Sequence, residues 1–130
     1  MMKIDRIDHL VLTVADIERT IQFYSTVLGF EVVEFAHNRK ALRFGQQKIN
    51  LHEKGKEFEP KAHVATCGSA DLCFIAETDL NEVLHELRQK NIDILEGIVE
   101  RTGATGKISS IYFRDPDLNL IEVSNYQSAK

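Results

Sequence analysis

Apolar positions along this chain switch between two periods, and the switches mark out its elements. Residues 7–14 read Ile-Asp-His-Leu-Val-Leu-Thr-Val, a short β-branched run with polar residues at intervals, which predicts a strand. Asp16 follows as a candidate helix N-cap. Ile17, Ile21, Tyr24 and Leu28 then recur at helical spacing, with Phe23 and Val27 widening the apolar face. Gly29 is placed to end that helix in a left-handed conformation. Residues 30–35 predict a second strand, and 41–44 with 48–52 a hairpin around Gly45-Gln46-Gln47. Residues 53–69 are charged, carry Gly and Pro, and break the pattern, as a long connector does.

The order then repeats. Residues 71–76 predict a strand, and Asp79 caps a helix with Leu80, Val83, Leu84 and Leu87 on its apolar face. Ile92, Ile94 and Leu95 are expected to start another strand, followed by a loop from Arg101 to Gly106. Residues 108–113 and 120–123 are strands around an Asp115-Pro116-Asp117 turn. Asp16-Ile17 aligns with Asp79-Leu80, Tyr24 with Leu87, and Ile49-Asn50-Leu51 with Ile121-Glu122-Val123, while His9 falls opposite Asp71. A period near 60 residues is too long for a solenoid and too short for two free-standing domains. The expectation is one α+β domain over 1–130, with halves at about 4–54 and 70–126. Each half is a βαβββ module, and together they form a pseudo-symmetric curved mixed sheet with helices on the outside.

Composition narrows the function classes. Hydrophobic residues are 43% and charged residues 28%, an ordinary globular balance with material for a core. A net charge of −4, with no basic cluster denser than Arg39-Lys40, gives no footprint for nucleic acid. No segment approaches the roughly 20 apolar residues that span a bilayer, so no membrane partner is expected. The two cysteines, Cys67 and Cys73, match no disulfide framework or zinc knuckle, which suggests a reducing, cytoplasmic location. Cys67 is expected to be a loop thiol and Cys73 a small core residue. His37, His63 and His85 are expected at loop or helix surfaces.

The first and last strands of each half carry polar residues inside apolar runs: His9, Asn50 and His52, Asp71, and Glu122. Residues i and i+2 on a strand share a face, so Asn50 and His52 point the same way. Buried polar groups need partners, and a divalent cation satisfies several at once. Imidazole with carboxylate suits Zn²⁺, Fe²⁺, Mn²⁺ or Ni²⁺. More ordinary roles compete: a salt bridge from Glu122 to Arg43 or Arg101, a turn bond or ion pair for Asp71, and a satisfied strand histidine for His9. Arg101 and the glycines after it suit either an anion or a plain strand connector.

Three motifs carry a family resemblance. They are Asp8-His9-Leu10-Val11-Leu12-Thr13-Val14-Ala15-Asp16, Phe23-Tyr24-Ser25-Thr26-Val27-Leu28-Gly29-Phe30, and Phe113-Arg114-Asp115-Pro116-Asp117-Leu118-Asn119-Leu120-Ile121-Glu122. In order and nearly end to end, the chain resembles the vicinal-oxygen-chelate (glyoxalase/bleomycin-resistance/dioxygenase) superfamily. The segments Asn50-Leu51-His52-Glu53 and Arg101 to Gly106 are similar to its small glyoxalase domain-containing proteins. The resemblance implies metal ligands at His9 and Glu122, with Asn50 at the position ending the first half and Asp71 where the family's enzymes usually carry His. His52 is the replacement candidate for Asn50. It also implies a homodimer.

The leading expectation is a metal-dependent lyase or isomerase resembling lactoylglutathione lyase and acting on a small oxygen-rich substrate. His9, Glu122, His52 and Asp71 are its metal candidates, Glu122 or Asp71 the base, and Asn50 and Arg101 substrate contacts. The alternatives are a metal-free ligand-sequestering module of bleomycin-resistance type, an Fe(II) extradiol-type dioxygenase, and an interaction scaffold. Modest aromatic content, 8% with no Trp, disfavours sequestration by stacking.

Overall fold

A computed structural model describes residues 1–128. The chain divides into two compact units, Met1–Cys67 and a second beginning at Gly68, so the boundary falls in the connector. The first unit holds β1 (His9–Val14), α1 (Ile17–Val27), β2 (Glu31–Phe35), β3 (Arg39–Phe44) and β4 (Gln47–Glu53). The second repeats the order with β5 (Asp71–Ile75), α2 (Leu80–Gln89), β6 (Glu96–Thr102), β7 (Lys107–Arg114) and β8 (Leu120–Tyr126). Both units are therefore βαβββ modules. Each forms its own four-stranded mixed sheet, ordered β1-β4-β3-β2 and β5-β8-β7-β6. In each, the first strand runs parallel to the last, and the other neighbours are antiparallel.

Local chemistry sets these elements. The Asp16 side chain accepts from the Arg19 N–H at 3.2 Å and caps α1, and Asp79 does the same for α2 through the Asn81 N–H at 2.9 Å. At the far end of α1, Gly29 has φ +70°, a left-handed turn that returns the Phe30 N–H to the Tyr24 carbonyl at 3.1 Å. That turn stacks the Phe30 ring between Tyr24, 5.6 Å away, and Phe44, 4.6 Å away. Tyr24, Leu12, Val14, Leu42, Ile49 and Leu51 are the buried apolar side chains under α1. Leu80, Leu87, Ile111, Phe113, Ile121 and Val123 do the same work under α2.

The strand alternation matters most for function. On β4, Ile49 and Leu51 face the helix side, which turns Asn50 and His52 to the other face of the sheet, where both are also buried. On β7 and β8 the same alternation puts Ser110, Tyr112, Glu122 and Ser124 opposite the helix.

The Asp115-Pro116-Asp117-Leu118-Asn119 turn is a structural device. Asp115 Oδ1 accepts the N–H groups of Asp117 and Asn119 at 2.9 and 3.0 Å, and Asp115 Oδ2 accepts from Asn119 Nδ2 at 2.8 Å. Asn119 Oδ1 in turn accepts the Ala70 N–H at 2.9 Å, tying the turn to the entry of β5.

Three sequence expectations change. Ile92, Ile94 and Leu95 do not start a strand; β6 begins at Glu96. Asn91 has φ +58° and the Ile92 N–H returns to the Leu87 carbonyl at 2.9 Å, so Ile92 closes the end of α2. Arg101 and Thr102 are not loop residues but the end of β6, paired with Ile108 and Lys107 across a hairpin. Cys73 is exposed rather than a core residue, because on β5 its neighbours Leu72 and Phe74 take the more buried face.

Candidate functional site

Each half carries one strand-lined cavity on the face opposite its helix. In the second half the cavity has a volume of about 420 Å³ and is lined by strand residues that include Glu122, Tyr112, Cys73 and Arg101. The hairpin turn after β6 adds Gly103 and Ala104 to its rim. A depression of similar volume, about 430 Å³, lies beside α2 but gathers only the helix side chains Asn81, Glu82, His85 and Glu86.

Glu122 is the chemical centre of the second-half cup. Its Oε2 accepts from Ser110 Oγ at 2.6 Å and lies 3.4 Å from Ser124 Oγ. The two serine hydroxyls are 2.7 Å apart, and both residues are fully buried. Cys73 Sγ lies 3.4 Å from Ser124 Oγ. Burial, foremost, pushes the Cys73 thiol up, so it stays protonated and can donate. With one proton per hydroxyl, the group reads as a chain in which Cys73 donates to Ser124, Ser124 to Ser110, and Ser110 to Glu122. The carboxylate is thereby fixed at one oxygen.

Arg101 enters from the cup wall. Its Nε donates to Tyr112 Oη at 3.1 Å, and its Nη2 lies 3.2 Å from Glu96. Burial, foremost, pushes the Tyr112 phenol up; the Arg101 bond opposes this and a hydrogen bond with Glu122 adds to it. Arg101 and Tyr112 are hydrogen-bonded, and Tyr112 is the cross-strand neighbour of Glu122 on the same face of the sheet. The expected alternative of a Glu122 salt bridge is not what the carboxylate makes: Arg43 pairs with Glu31 at 2.8 Å and Arg101 with Glu96 at 3.2 Å.

In the first half, the connector folds back over β1 and β4. It closes a cavity of about 270 Å³ lined by Val11, Thr13, His52, Pro60, Lys61, Ala62 and Ala65. His52 is 2% exposed, and its Nε2 faces Arg39 Nη2 at 3.4 Å. A guanidinium only donates, so Nε2 must accept and the proton sits on Nδ1. Arg39 also lies over the Phe58 ring, 4.5 Å from its centroid. Two buried atoms nearby on the same face, Arg39 Nε and Asn50 Oδ1, have no hydrogen-bond partner.

Burial, and then the Arg39 charge, hold the His52 imidazole below its usual value, with Glu57 opposing. A histidine depressed in the native state binds more protons unfolded than folded. Its stabilising effect is therefore complete above the ordinary value of 6.5 and is lost as pH falls from there towards the native value. The expected result is a urea midpoint that drops between pH 7 and pH 5 in the native protein and drops less in Arg39→Met. Identical profiles for the two proteins would remove Arg39 as a cause.

The sequence candidates thus separate by half. Asn50 and His52 share one face of the first sheet, and Glu122 and Arg101 share the second-half cup. His9 is the exposed first residue of β1, with its Nδ1 2.9 Å from Asp8 Oδ2. A carboxylate on one ring nitrogen is the arrangement that orients an imidazole to bind a metal through the other, so His9 fits a ligand role. In His52 the Arg39 guanidinium takes Nε2, which leaves Nδ1. Asp71 is the exposed first residue of β5, outside the lining of the cup. Among the described residues no group of three or more His, Cys, Asp or Glu is gathered. The sequence reading passed over Ser110, Tyr112, Ser124, Thr13, Arg39 and Lys61. The i, i+2 pairs Ser110/Tyr112 and Glu122/Ser124 carried a readable signal, because they put four polar groups on one face of adjacent strands.

Known proteins share this fold. The chain is 66% identical over 125 residues to the virulence protein STM3117 of Salmonella typhimurium, covering 96% of this chain and 87% of that protein. The crystal structure of STM3117 superposes with a TM-score of 0.96 over 97% of this chain and all of that one. The glyoxalase domain-containing protein RDO1 of Mycosarcoma maydis is 55% identical, covering 99% of this chain and 73% of that protein. An integron cassette protein from the mobile metagenome of V. cholerae is 57% identical, with a TM-score of 0.96 over 98% of this chain and 99% of that one. Residues 6–123 match the family that the two βαβββ modules and their terminal motifs point to, and the chain belongs to the glyoxalase/bleomycin resistance protein/dioxygenase superfamily.

Proposed function

We propose that the protein is a lyase or isomerase of glyoxalase type that moves a proton next to a carbonyl in a small oxygen-rich substrate. The observation that carries this reading is the second-half cup. There a glutamate is fixed through one oxygen by a chain of hydroxyls, within a cavity of about 420 Å³ that also holds an arginine. Glu122 takes the proton from the carbon beside the carbonyl and returns it to the neighbouring carbon, so the reaction is redox-neutral. Arg101 orients a substrate oxygen, and the Tyr112 hydroxyl holds that guanidinium. Immobilising the carboxylate in advance favours the proton transfer, because little reorganisation is left for the transition state.

The divalent ion (Ni, Zn, Mn or Fe) that such enzymes use would polarise the substrate carbonyl, and the side chains of this chain that fit it are His9 in the first unit and Glu122 and Asp71 in the second. His52 is left out of this set because Arg39 donates to its Nε2. A homodimer belongs to the same reading, supported by exposed apolar side chains on the strands, among them Val11, Val32 and Ile75. A cytoplasmic location is supported by two free cysteines. No helix among the described residues is long and apolar enough to cross a membrane.

A screen of α-keto-aldehyde–thiol adducts against metal-loaded protein tests the reading. Conversion to a hydroxyacyl thioester by the native chain, and not by Glu122→Gln, is expected. Equal conversion by both proteins would reject Glu122 as the base.

A further inference from the structure

The first-half cavity has a chemistry that the proposed reaction does not use. Thr13 and His52 sit directly opposite each other across the parallel β1–β4 pair, and both line it. They are 8% and 2% exposed, so both are more than nine-tenths buried. With Nε2 of His52 accepting from Arg39, Nδ1–H is left pointing away from the guanidinium, and neither it nor the Thr13 hydroxyl has a hydrogen-bond partner among the described residues. Donors that open onto a cavity without a protein partner are free to bind an acceptor there, and these two stand side by side on one wall.

The third donor is Lys61, which lines the same space from the connector. Its side chain is 32% exposed, and its nearest acid, Glu59, is 3.9 Å away and mostly in solvent. No carboxylate lines the cavity. Glu57, the acid that acts on His52, has its own carboxylate tied to the Gly55 N–H at 2.9 Å. The remaining walls are apolar, formed by Val11, Pro60, Ala62 and Ala65. Three donors among aliphatic walls suit a ligand with an oxyanion head and a short hydrocarbon tail. At about 270 Å³ the space is below the usual range of drug-sized pockets.

We infer that the cavity between β1, β4 and the connector is a binding site for a short-chain monocarboxylate, held by Thr13 Oγ1, His52 Nδ1 and Lys61 Nζ. One oxygen accepts from Thr13 and His52, which are adjacent on the sheet, and the charge is balanced by Lys61. The tail lies against Val11 and the connector alanines. The site stands independently of the Glu122 chemistry, since all its residues lie in the first unit.

Titration of the ¹⁵N-labelled native protein with propanoate, acetate and inorganic phosphate tests this. Propanoate should bind saturably and move the resonances of Thr13, His52 and Lys61. Acetate should bind about fourfold more weakly, for the loss of one buried methylene. Thr13→Val, which keeps the side-chain shape, should weaken propanoate at least tenfold, roughly the worth of one charge-assisted hydrogen bond. Lys61→Met should weaken it as well. Glu122→Gln should bind propanoate as the native protein does, which separates this site from the reaction proposed above. No saturable shift at Thr13 and His52 with propanoate would overturn the inference. So would unchanged affinity in a folded Thr13→Val, or displacement of propanoate by inorganic phosphate at equal concentration.

Discussion

Glu122→Gln is expected to lower turnover of an α-keto-aldehyde–thiol adduct by about 100-fold or more, the scale of a lost general base. The substitution keeps the length and shape of the side chain. Ser110 and Ser124 can rotate their hydroxyls to accept from the new amide, so the surrounding network survives. The loss should therefore appear in kcat and in kcat/KM together, with thermal stability nearly unchanged. Tyr112→Phe provides the comparison. It removes the hydroxyl that holds Arg101 but leaves the carboxylate in place, so its effect should be smaller. Native-like turnover in Glu122→Gln would place the chemistry elsewhere.

Asn119→Ala should destabilise the second half by about 2–4 kcal/mol, enough to lower its melting temperature by roughly 10 °C. Asn119 is completely buried and makes a bond with each end of its amide, to Asp115 Oδ2 and to the Ala70 N–H. Alanine leaves the Ala70 N–H without its acceptor and takes one donor from Asp115, which is itself 3% exposed. Both losses fall where water does not reach. The local readout is hydrogen exchange at Ala70, which should lose protection while Leu51 in the first unit keeps it. A melting temperature within about 2 °C of the native value would show that the turn closes without this amide.

These two residues also show what a sequence can reveal. Asp16, Gly29 and the alternation of β4 are local decisions: a cap, a left-handed turn and a two-residue period, each readable from a few neighbours. Asn119 belongs to a recognisable terminal motif, yet its work of tying the β7–β8 turn to β5 is visible only when Ala70 is brought to it from 49 residues away. Ile92 and Ile94 imitated a strand because the end of α2 also needs apolar anchors after a left-handed residue. Arg101 and Thr102 looked like loop because an exposed strand tolerates charge.

The candidate site was legible in kind but not in grouping. Glu122 and Arg101 were chosen as polar residues in unusual places, and the cup brings both together. Their partners Ser110, Tyr112 and Ser124 showed only as i, i+2 polar spacing within single strands, and the cross-strand register that joins them is not local. His52 was chosen on spacing alone. Its environment depends on Arg39, which is 13 residues away and points across an antiparallel pair. Charge at that distance leaves no trace in a local pattern, so the sequence could not show that a guanidinium takes its Nε2.

The measurement that bears most directly on the account is elemental analysis of chelator-treated protein reloaded separately with Ni²⁺, Zn²⁺, Mn²⁺ and Fe²⁺, for the native chain, His9→Ala and Glu122→Ala. The account predicts about one tightly held metal per chain in the native protein, lost in both variants while they remain folded. Unchanged stoichiometry in either variant, or no metal under any loading of the native chain, would contradict it and favour a module that holds its ligand without a metal.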